Sequence, residues 1–215
     1  MIKELHNNVR LLKQLLPYIN RYRRAKFLFV IPSYFFTNPN QEQCIWEDIA
    51  TCRSLGIGCL VFIDYDWQLD SKSGISNEKL LSNSPLVAGM ESQARYELFK
   101  ELSGYNEKVN VVSGIWLLAQ PKGVLKGKDM QNYGTLRSVD IPNLLSELLS
   151  RNLIVMSNIA PDKHGNIYAL DTTETAATVA QSLAIDKVIL YVDDLAEEYR
   201  QVAVELAEAK KMSAS

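Results

Sequence analysis

The sequence predicts an α/β protein in which helices cover a mainly parallel sheet, and three observations carry that prediction. The runs Lys26 to Ile31, Cys59 to Ile63, Leu153 to Ser157 and Lys187 to Val192 are dominated by apolar residues without alternation, as strands buried on both faces are. Stretches with three- and four-residue apolar spacing lie between them. Strand, helix and strand in that order require a parallel crossover, and repeated units of this kind build an α/β sandwich.

Taken in order, Ile2, Leu5, Val9, Leu12 and Leu16 mark one face of a first helix, which Pro17 interrupts. The basic turn Arg21-Tyr22-Arg23-Arg24-Ala25-Lys26 follows, where cations complement a helix C-terminus as readily as they grip a phosphate. Lys26 to Ile31 is the first strand, Gln41 to Leu55 a helix with Gly56 as its left-handed cap, and Cys59 to Ile63 the second strand. Asp64 to Pro85 is rich in Ser, Asn, Asp and Gly and reads as loop. Glu91 to Ser103 is helical, Val109 to Ala119 is strand-like with a break at Ser113-Gly114, and Gln120 to Arg137 is a glycine-punctuated connection. Asp140 caps a helix running to Arg151, with Pro142 tolerated in its first turn. Leu153 to Ser157 is a strand, Asp162 to Asn166 a turn, Thr172 to Ile185 a helix and Lys187 to Val192 the last strand. Asp194 and Glu197 open a final helix with Leu195, Tyr199, Val202, Leu206 and Ala209 on one face, before a fraying tail from Met212. The chain thus divides into an N-terminal helical segment (1–25), an α/β domain (26–193) and a C-terminal helix with its tail (194–215).

Lysine and arginine number 23 against 25 acids, so a net charge of −2 gives no bulk attraction to nucleic acid or anionic lipid. No apolar run approaches the ~20 residues of a membrane helix, and the first residues lack the pattern of a secretory signal, so a cytoplasmic location is expected. Cys44, Cys52 and Cys59 form no CxxC pair and are expected to be reduced and buried. With two histidines, His6 and His164, a histidine-rich metal site is excluded; no metal and no cofactor is expected.

Several motifs fall short of a chemistry. Gly123-Val124-Leu125-Lys126-Gly127-Lys128-Asp129 approaches a P-loop, but its second glycine comes one residue early and Asp129 stands where a hydroxyl must meet magnesium. Gly56-Ile57-Gly58 precedes a strand instead of following one, and Val112-Ser113-Gly114 lacks the first glycine of a nucleophile elbow. Asp193-Asp194 ends a strand as a metal site or a helix cap would. Asp171-Thr172-Thr173-Glu174 places two acids and two hydroxyls at a helix N-terminus, suited to a small polar ligand or to capping alone. The acids Asp64, Asp66 and Asp70 leave open a small-molecule enzyme of another kind. No catalytic constellation emerges from the residues.

Val109 to Gly114, then Ala119-Gln120-Pro121-Lys122-Gly123-Val124, Gly127, Asp129, Gly134, Arg137 and Asp140, resemble the amino-acid-kinase-type domain of bacterial N-acetylglutamate synthase. Leu153 to Ser157, Gly165, the Glu174 to Leu183 helix and Lys187 to Ile189 continue the resemblance, and Pro17 to Asn20, Arg23, Phe27 and Ser54 to Ile57 fit upstream. The resemblance implies an αβα three-layer sandwich with a mainly parallel sheet, related to acetylglutamate kinase but truncated. It also implies a pocket for arginine or acyl-glutamate ligands and homo-oligomer contacts through the N-terminal helix.

The departures from the family bear on activity. Where phosphorylating relatives carry a lysine and a glycine pair after the first strand, this chain reads Val30-Ile31-Pro32-Ser33-Tyr34, without that charge and with a proline that has no N–H. Asp64-Tyr65-Asp66-Trp67 replaces the second glycine-rich turn with acids that repel polyphosphate, and Ala169 replaces the family's asparagine. The chain is expected to lack the nucleotide-binding half and the acetyltransferase domain, and hence to be catalytically silent, serving ligand sensing or assembly. Ser113, Gly114, Asp171, Thr172 and Glu174 are the expected ligand contacts. The alternative is a component of N-acetylglutamate synthase in arginine biosynthesis, partnered by an acetyltransferase on another chain.

Overall fold

The computed structural model describes residues 13, 16–17, 20–36, 43–65, 84–105, 109–125, 127–130 and 132–191. The apolar stripe from Ile2 to Leu12, Asp66, Trp67, Asp70 and everything from residue 192 onward lie outside the described residues.

The five apolar strands are β1 (Lys26–Pro32), β2 (Gly58–Asp64), β3 (Val111–Ser113), β8 (Leu153–Ser157) and β11 (Lys187–Leu190). They form one wholly parallel sheet in the order β11-β1-β2-β8-β3. Successive side chains of a strand point to opposite faces, so each continuous apolar run feeds two cores. Phe27, Phe29 and Ile31 of β1, Cys59, Val61 and Ile63 of β2, and Leu153 and Val155 of β8 join one core. It is closed by Ile45, Trp46 and Ile49 of α1 (Gln43–Ser54) and by Ala94, Leu98 and Leu102 of α2 (Ser84–Gly104).

The alternate residues Leu28, Val30, Leu60, Phe62, Ile154 and Met156 build the opposite core. It is covered by Leu144 and Leu148 of α3 (Ile141–Leu149) and by Ala176, Val179 and Ala180 of α4 (Thr172–Ser182). Helices on both faces make the expected αβα three-layer sandwich. Gly56, at φ +83°, ends the α1 segment as anticipated, and its N–H donates to the Arg53 carbonyl at 2.8 Å. Asp140 caps α3 by accepting from Asn143 N. Cys59 is wholly buried, whereas Cys52 is only half-buried, which departs from the expectation that all the thiols are interior.

The stretch read as a connection, Gln120 to Arg137, contains paired strands among its described residues. β4 (Leu117–Pro121) and β7 (Gly134–Val139) form an antiparallel ribbon with a bulge at Leu118/Ala119, and β5 (Val124–Leu125) pairs with β6 (Lys128–Asp129). A further hairpin, β9 (Ile159–Pro161) with β10 (Ile167–Ala169), turns through Asp162 to Asn166. In that turn the Asp162 carboxylate accepts from the backbone N–H groups of His164 and Asn166, at 2.7 and 2.9 Å. At Gly134 the ribbon and this hairpin approach closely. A Cβ there would stand 2.8 Å from the Gln120 carbonyl oxygen and 2.9 Å from Tyr168 Cβ.

Both obstacles at Gly134 belong to packed, paired strands and cannot swing aside. Gly134→Ala is therefore expected to lower stability by about 1–3 kcal/mol, read as a shift in the urea midpoint.

Candidate functional site

Ligands of open α/β sheets collect beyond the carboxyl ends of the parallel strands, and here that edge is polar where the strands stop. β2 ends in Asp64, β8 ends in Ser157, and Asn158 follows directly. The register sets Ile63 beside Ser157, which brings Asn158 against Asp64 and Tyr65.

Asn158 is 2% exposed and uses both ends of its amide. Its Oδ1 accepts from the Tyr65 N–H at 3.1 Å. Its Nδ2 donates to the Tyr65 carbonyl at 2.9 Å, to Thr172 Oγ1 at 2.9 Å and to Asp64 Oδ1 at 3.2 Å. The Thr172 hydroxyl in turn donates to Asp64 Oδ1. The start of α4 is thereby tied to the ends of β2 and β8. Beside this network the Ser157 hydroxyl donates to Glu91 Oε1 of α2 at 2.5 Å. Glu91 is exposed as a residue, yet burial around its carboxyl holds its pKa above the usual glutamate range despite the opposing hydrogen bond from Ser157. Burial, and secondarily the charge of Glu91, pushes the Tyr65 phenol well above its ordinary value.

The sequence-predicted ligand residues fall into two groups. Thr172 belongs to the network just described. Asp171 is the N-cap of α4, its Oδ1 accepting from the Glu174 N–H at 2.7 Å, and Glu174 is exposed in the first turn. Ser113 ends β3 on the far side of β8 and accepts from Arg95 Nη1 of α2 at 3.3 Å. Gly114 lies under the Trp116 indole, which a Cβ would meet at 3.1 Å. No hydrogen bond among the described residues joins the two groups. Asn158, Ser157, Glu91 and Arg95 were not anticipated; the available signal was the polar pair Ser157-Asn158 closing an apolar strand.

After β1 the chain makes a 3-10 turn, Ser33–Phe36, in which Phe35 and Phe36 are buried and the rings of Tyr34 and Phe35 lie 4.5 Å apart. Tyr65, after β2, is 4% exposed. Aromatic packing thus occupies the position where a phosphate-binding loop would need open backbone N–H groups. Among the described residues no cluster of three or more His, Cys, Asp or Glu side chains is placed to hold a metal ion, and no helix is long and apolar enough to cross a membrane.

No protein-family model matches the chain. In sequence it is similar to the amino-acid acetyltransferase of Haemophilus ducreyi, 28% identical over 194 residues that span 84% of this chain and 44% of that enzyme. In structure it is similar to N-acetylglutamate synthase from Neisseria gonorrhoeae complexed with coenzyme A and N-acetyl-glutamate, with a TM-score of 0.75 and 21% identity. That superposition covers 96% of this chain and 51% of the synthase. The same synthase complexed with coenzyme A and L-arginine superposes with a TM-score of 0.72 and 21% identity, over 96% of this chain and 53% of that one. The chain spans about half the length of the curated relatives it matches, as the 44% coverage shows. The likeness to the amino-acid-kinase-like part of N-acetylglutamate synthase, inferred from sequence, is borne out.

Truncating Asn158 to Ala leaves the Tyr65 N–H without its acceptor and removes one of the donors to Asp64. A loss of roughly 1–3 kcal/mol in chemical denaturation is expected. Because the folded state raises the Glu91 pKa, the folded chain holds a proton that the unfolded chain gives up as pH rises. Stability should therefore fall with rising pH through the window just above the usual glutamate range, and Glu91→Gln should flatten that slope in melts recorded from pH 4 to pH 7.

Proposed function

We propose that this chain is a non-catalytic, amino-acid-kinase-like domain that senses arginine or an acyl-glutamate at the carboxyl edge of its sheet. The supporting observation is the contrast between the strand ends. Beyond β1 the phosphate position is filled by Phe35, Phe36 and their ring neighbours. Beyond β2 and β8 a preorganised set of acids and hydroxyls stands at the N-terminus of α4. Asp64, Asp171 and Glu174 favour an ammonium or guanidinium group and oppose a triphosphate. The hydroxyls of Thr172 and Ser113 offer neutral hydrogen bonds, and Gly114 follows Ser113 under the Trp116 indole. The similar synthase structures hold N-acetyl-glutamate in one case and L-arginine in the other, which makes these two the first ligands to try. A homo-oligomer through the N-terminal helix belongs to the same proposal, as does a cytoplasmic location.

A second reading is favoured by the name shared by the curated relatives. In it, the chain is the kinase-like component of an N-acetylglutamate synthase of arginine biosynthesis, with acetyl transfer carried out by an acetyltransferase on another chain. Acetyl transfer from acetyl-coenzyme A to glutamate by the isolated chain would overturn the silent reading.

Titration calorimetry with arginine, glutamate and N-acetylglutamate is expected to give heat with at least one of them and none with ATP and magnesium. Glu174→Gln should weaken arginine binding about tenfold, the equivalent of ~1.4 kcal/mol, at unchanged melting temperature because the side chain is exposed. Silence with all three amino-acid ligands sinks the sensing function.

A further inference from the structure

The amino edge of the sheet, at the opposite ends of the strands from Asp64 and Asn158, carries cations that the fold leaves unpaired. β1 and β2 begin there side by side, with Lys26 in register with Gly58 and the Gly58 N–H donating to the Ala25 carbonyl at 2.8 Å. Arg23 and Arg24 precede β1, Arg53 lies in the last turn of α1 before β2, and Arg151 leads into β8. Arg53 Nη2 donates to the Arg151 carbonyl at 3.1 Å, and a Cβ at Gly56 would stand 3.3 Å from Arg151 Nη2. Both guanidiniums therefore lie at the entrance to β2.

Arg24 and Arg151 hold left-handed backbone, at φ 70° and 60°. Glycine takes that conformation without strain, as Gly56 does between them, whereas a residue with a Cβ does not. Helix ends attract cations in general, but a left-handed backbone does not call for arginine. Two strained positions that both carry a guanidinium point to a use for the side chains. The neighbouring charges are engaged elsewhere. Asp186 accepts from the Lys26 N–H at 2.8 Å, and Glu147 accepts from Asn152 Nδ2 at 2.6 Å. Lys26 Nζ donates to the Leu183 carbonyl, and Lys187 Nζ lies 4.3 Å from the centre of the Tyr22 ring. Arg23, Arg24 and Arg151 are exposed, and among the described residues no acid pairs with them. Apolar surface accompanies the cations: Leu149, the last residue of α3, is 85% exposed, and Leu55, just after α1, is 37% exposed.

We propose that this amino edge docks an acidic, leucine-bearing segment of a partner protein, with its carboxylates on Arg23, Arg24 and Arg151 and its apolar side chains against Leu55 and Leu149. Charge complementarity selects an acidic occupant, and the planar fork of arginine suits a carboxylate in particular. The two leucines select a peptide over a nucleic acid, whose backbone presents phosphate and sugar. A net charge of −2 over the whole chain also gives an extended polyanion no general attraction. This contact goes beyond ligand sensing, and neither depends on the other, because the carboxyl edge stays open when the amino edge is covered.

Fluorescence anisotropy on the full chain tests it, with a labelled amphipathic peptide of leucine and glutamate, the same peptide with lysine for glutamate, and a DNA duplex as probes. The acidic peptide is expected to bind at low salt and to weaken as salt rises, while the lysine peptide and the duplex stay free. The double substitution Arg24→Gly with Arg151→Gly is expected to weaken the acidic peptide about tenfold. The melting temperature of that variant should hold or rise, since glycine relieves the left-handed backbone. Leu149→Ser, at an exposed position, is expected to weaken the peptide without altering circular dichroism. An acidic peptide that does not bind at low salt overturns the proposal. So does an affinity that the double substitution leaves unchanged, or a duplex that binds as tightly as the acidic peptide.

Discussion

Asn158 sits one residue past β8, out of reach of water, and its side chain is shared among three segments of chain. It closes on the backbone of Tyr65 in both directions, reaches the carboxylate of Asp64 and meets the hydroxyl of Thr172. Its own carbonyl accepts from the Leu170 N–H at 2.8 Å, so the chain returning from the β9–β10 hairpin is set by the same residue. A buried amide is tolerable only when its donors and acceptor are used, and the geometry that satisfies them is also the geometry that fixes where α4 begins. The polar edge is therefore held by the fold rather than appended to it. Under the proposed function, a ligand arriving there would meet groups already oriented, which lowers the ordering cost of binding.

The sheet beneath that edge explains why it stays rigid. Alternating residues of β1, β2 and β8 enter separate cores, so each strand is clamped from both sides by helices whose apolar faces have no other outlet. Fully buried Phe29, Phe62, Leu60 and Ile63 leave no slack for one strand to slide against the next. A register slip would move the Phe-bearing positions to the wrong core and carry Asn158 away from Asp64 at the same time. Packing of the interior and geometry of the site are one constraint, expressed at two ends of the same strands.

Legibility in the sequence followed burial. Phe27 to Ile31 and Leu153 to Met156 were readable because a strand buried on both faces must be apolar throughout. Gly56 and Asp140 were readable because a left-handed cap and an N-cap each demand particular residues. The hairpins between residues 117 and 139 escaped because their pairs are short and Val124 and Leu125 of β5 are exposed, so no periodic apolar pattern marks them. Among the site residues, Thr172 and Asp171 announced themselves as helix-start chemistry. Asn158 did not, since its partner Tyr65 stands 93 positions away and only the β2–β8 register joins them. Glu91 and Arg95 stand four apart on one helix, and only the fold shows that one turns toward Ser157 and the other toward Ser113.

The contrast between the strand ends bears most directly on function. A phosphate site after a strand needs successive backbone N–H groups pointing at one space, usually with glycine to let the chain approach and a cation to neutralise charge. After β1 the backbone begins with Pro32, which has no N–H, and winds into a turn whose Phe35 and Phe36 pack against Tyr191 and Trp46. β2 closes on the Asp64 carboxylate, already engaged by Thr172 and Asn158, and the buried ring of Tyr65 follows it. Placing a phosphate site here would require removing aromatic rings from the core as well as reversing the sign of a charge, and the first step would remove the Phe36–Trp46 contact with α1. An amino-acid ligand asks for less, because its ammonium or guanidinium group seeks the acids that remain and its carboxylate is small enough to be met by hydroxyls and a helix N-terminus. The acids and packed rings that would oppose phosphate are thus compatible, under the proposed function, with a smaller and more cationic ligand.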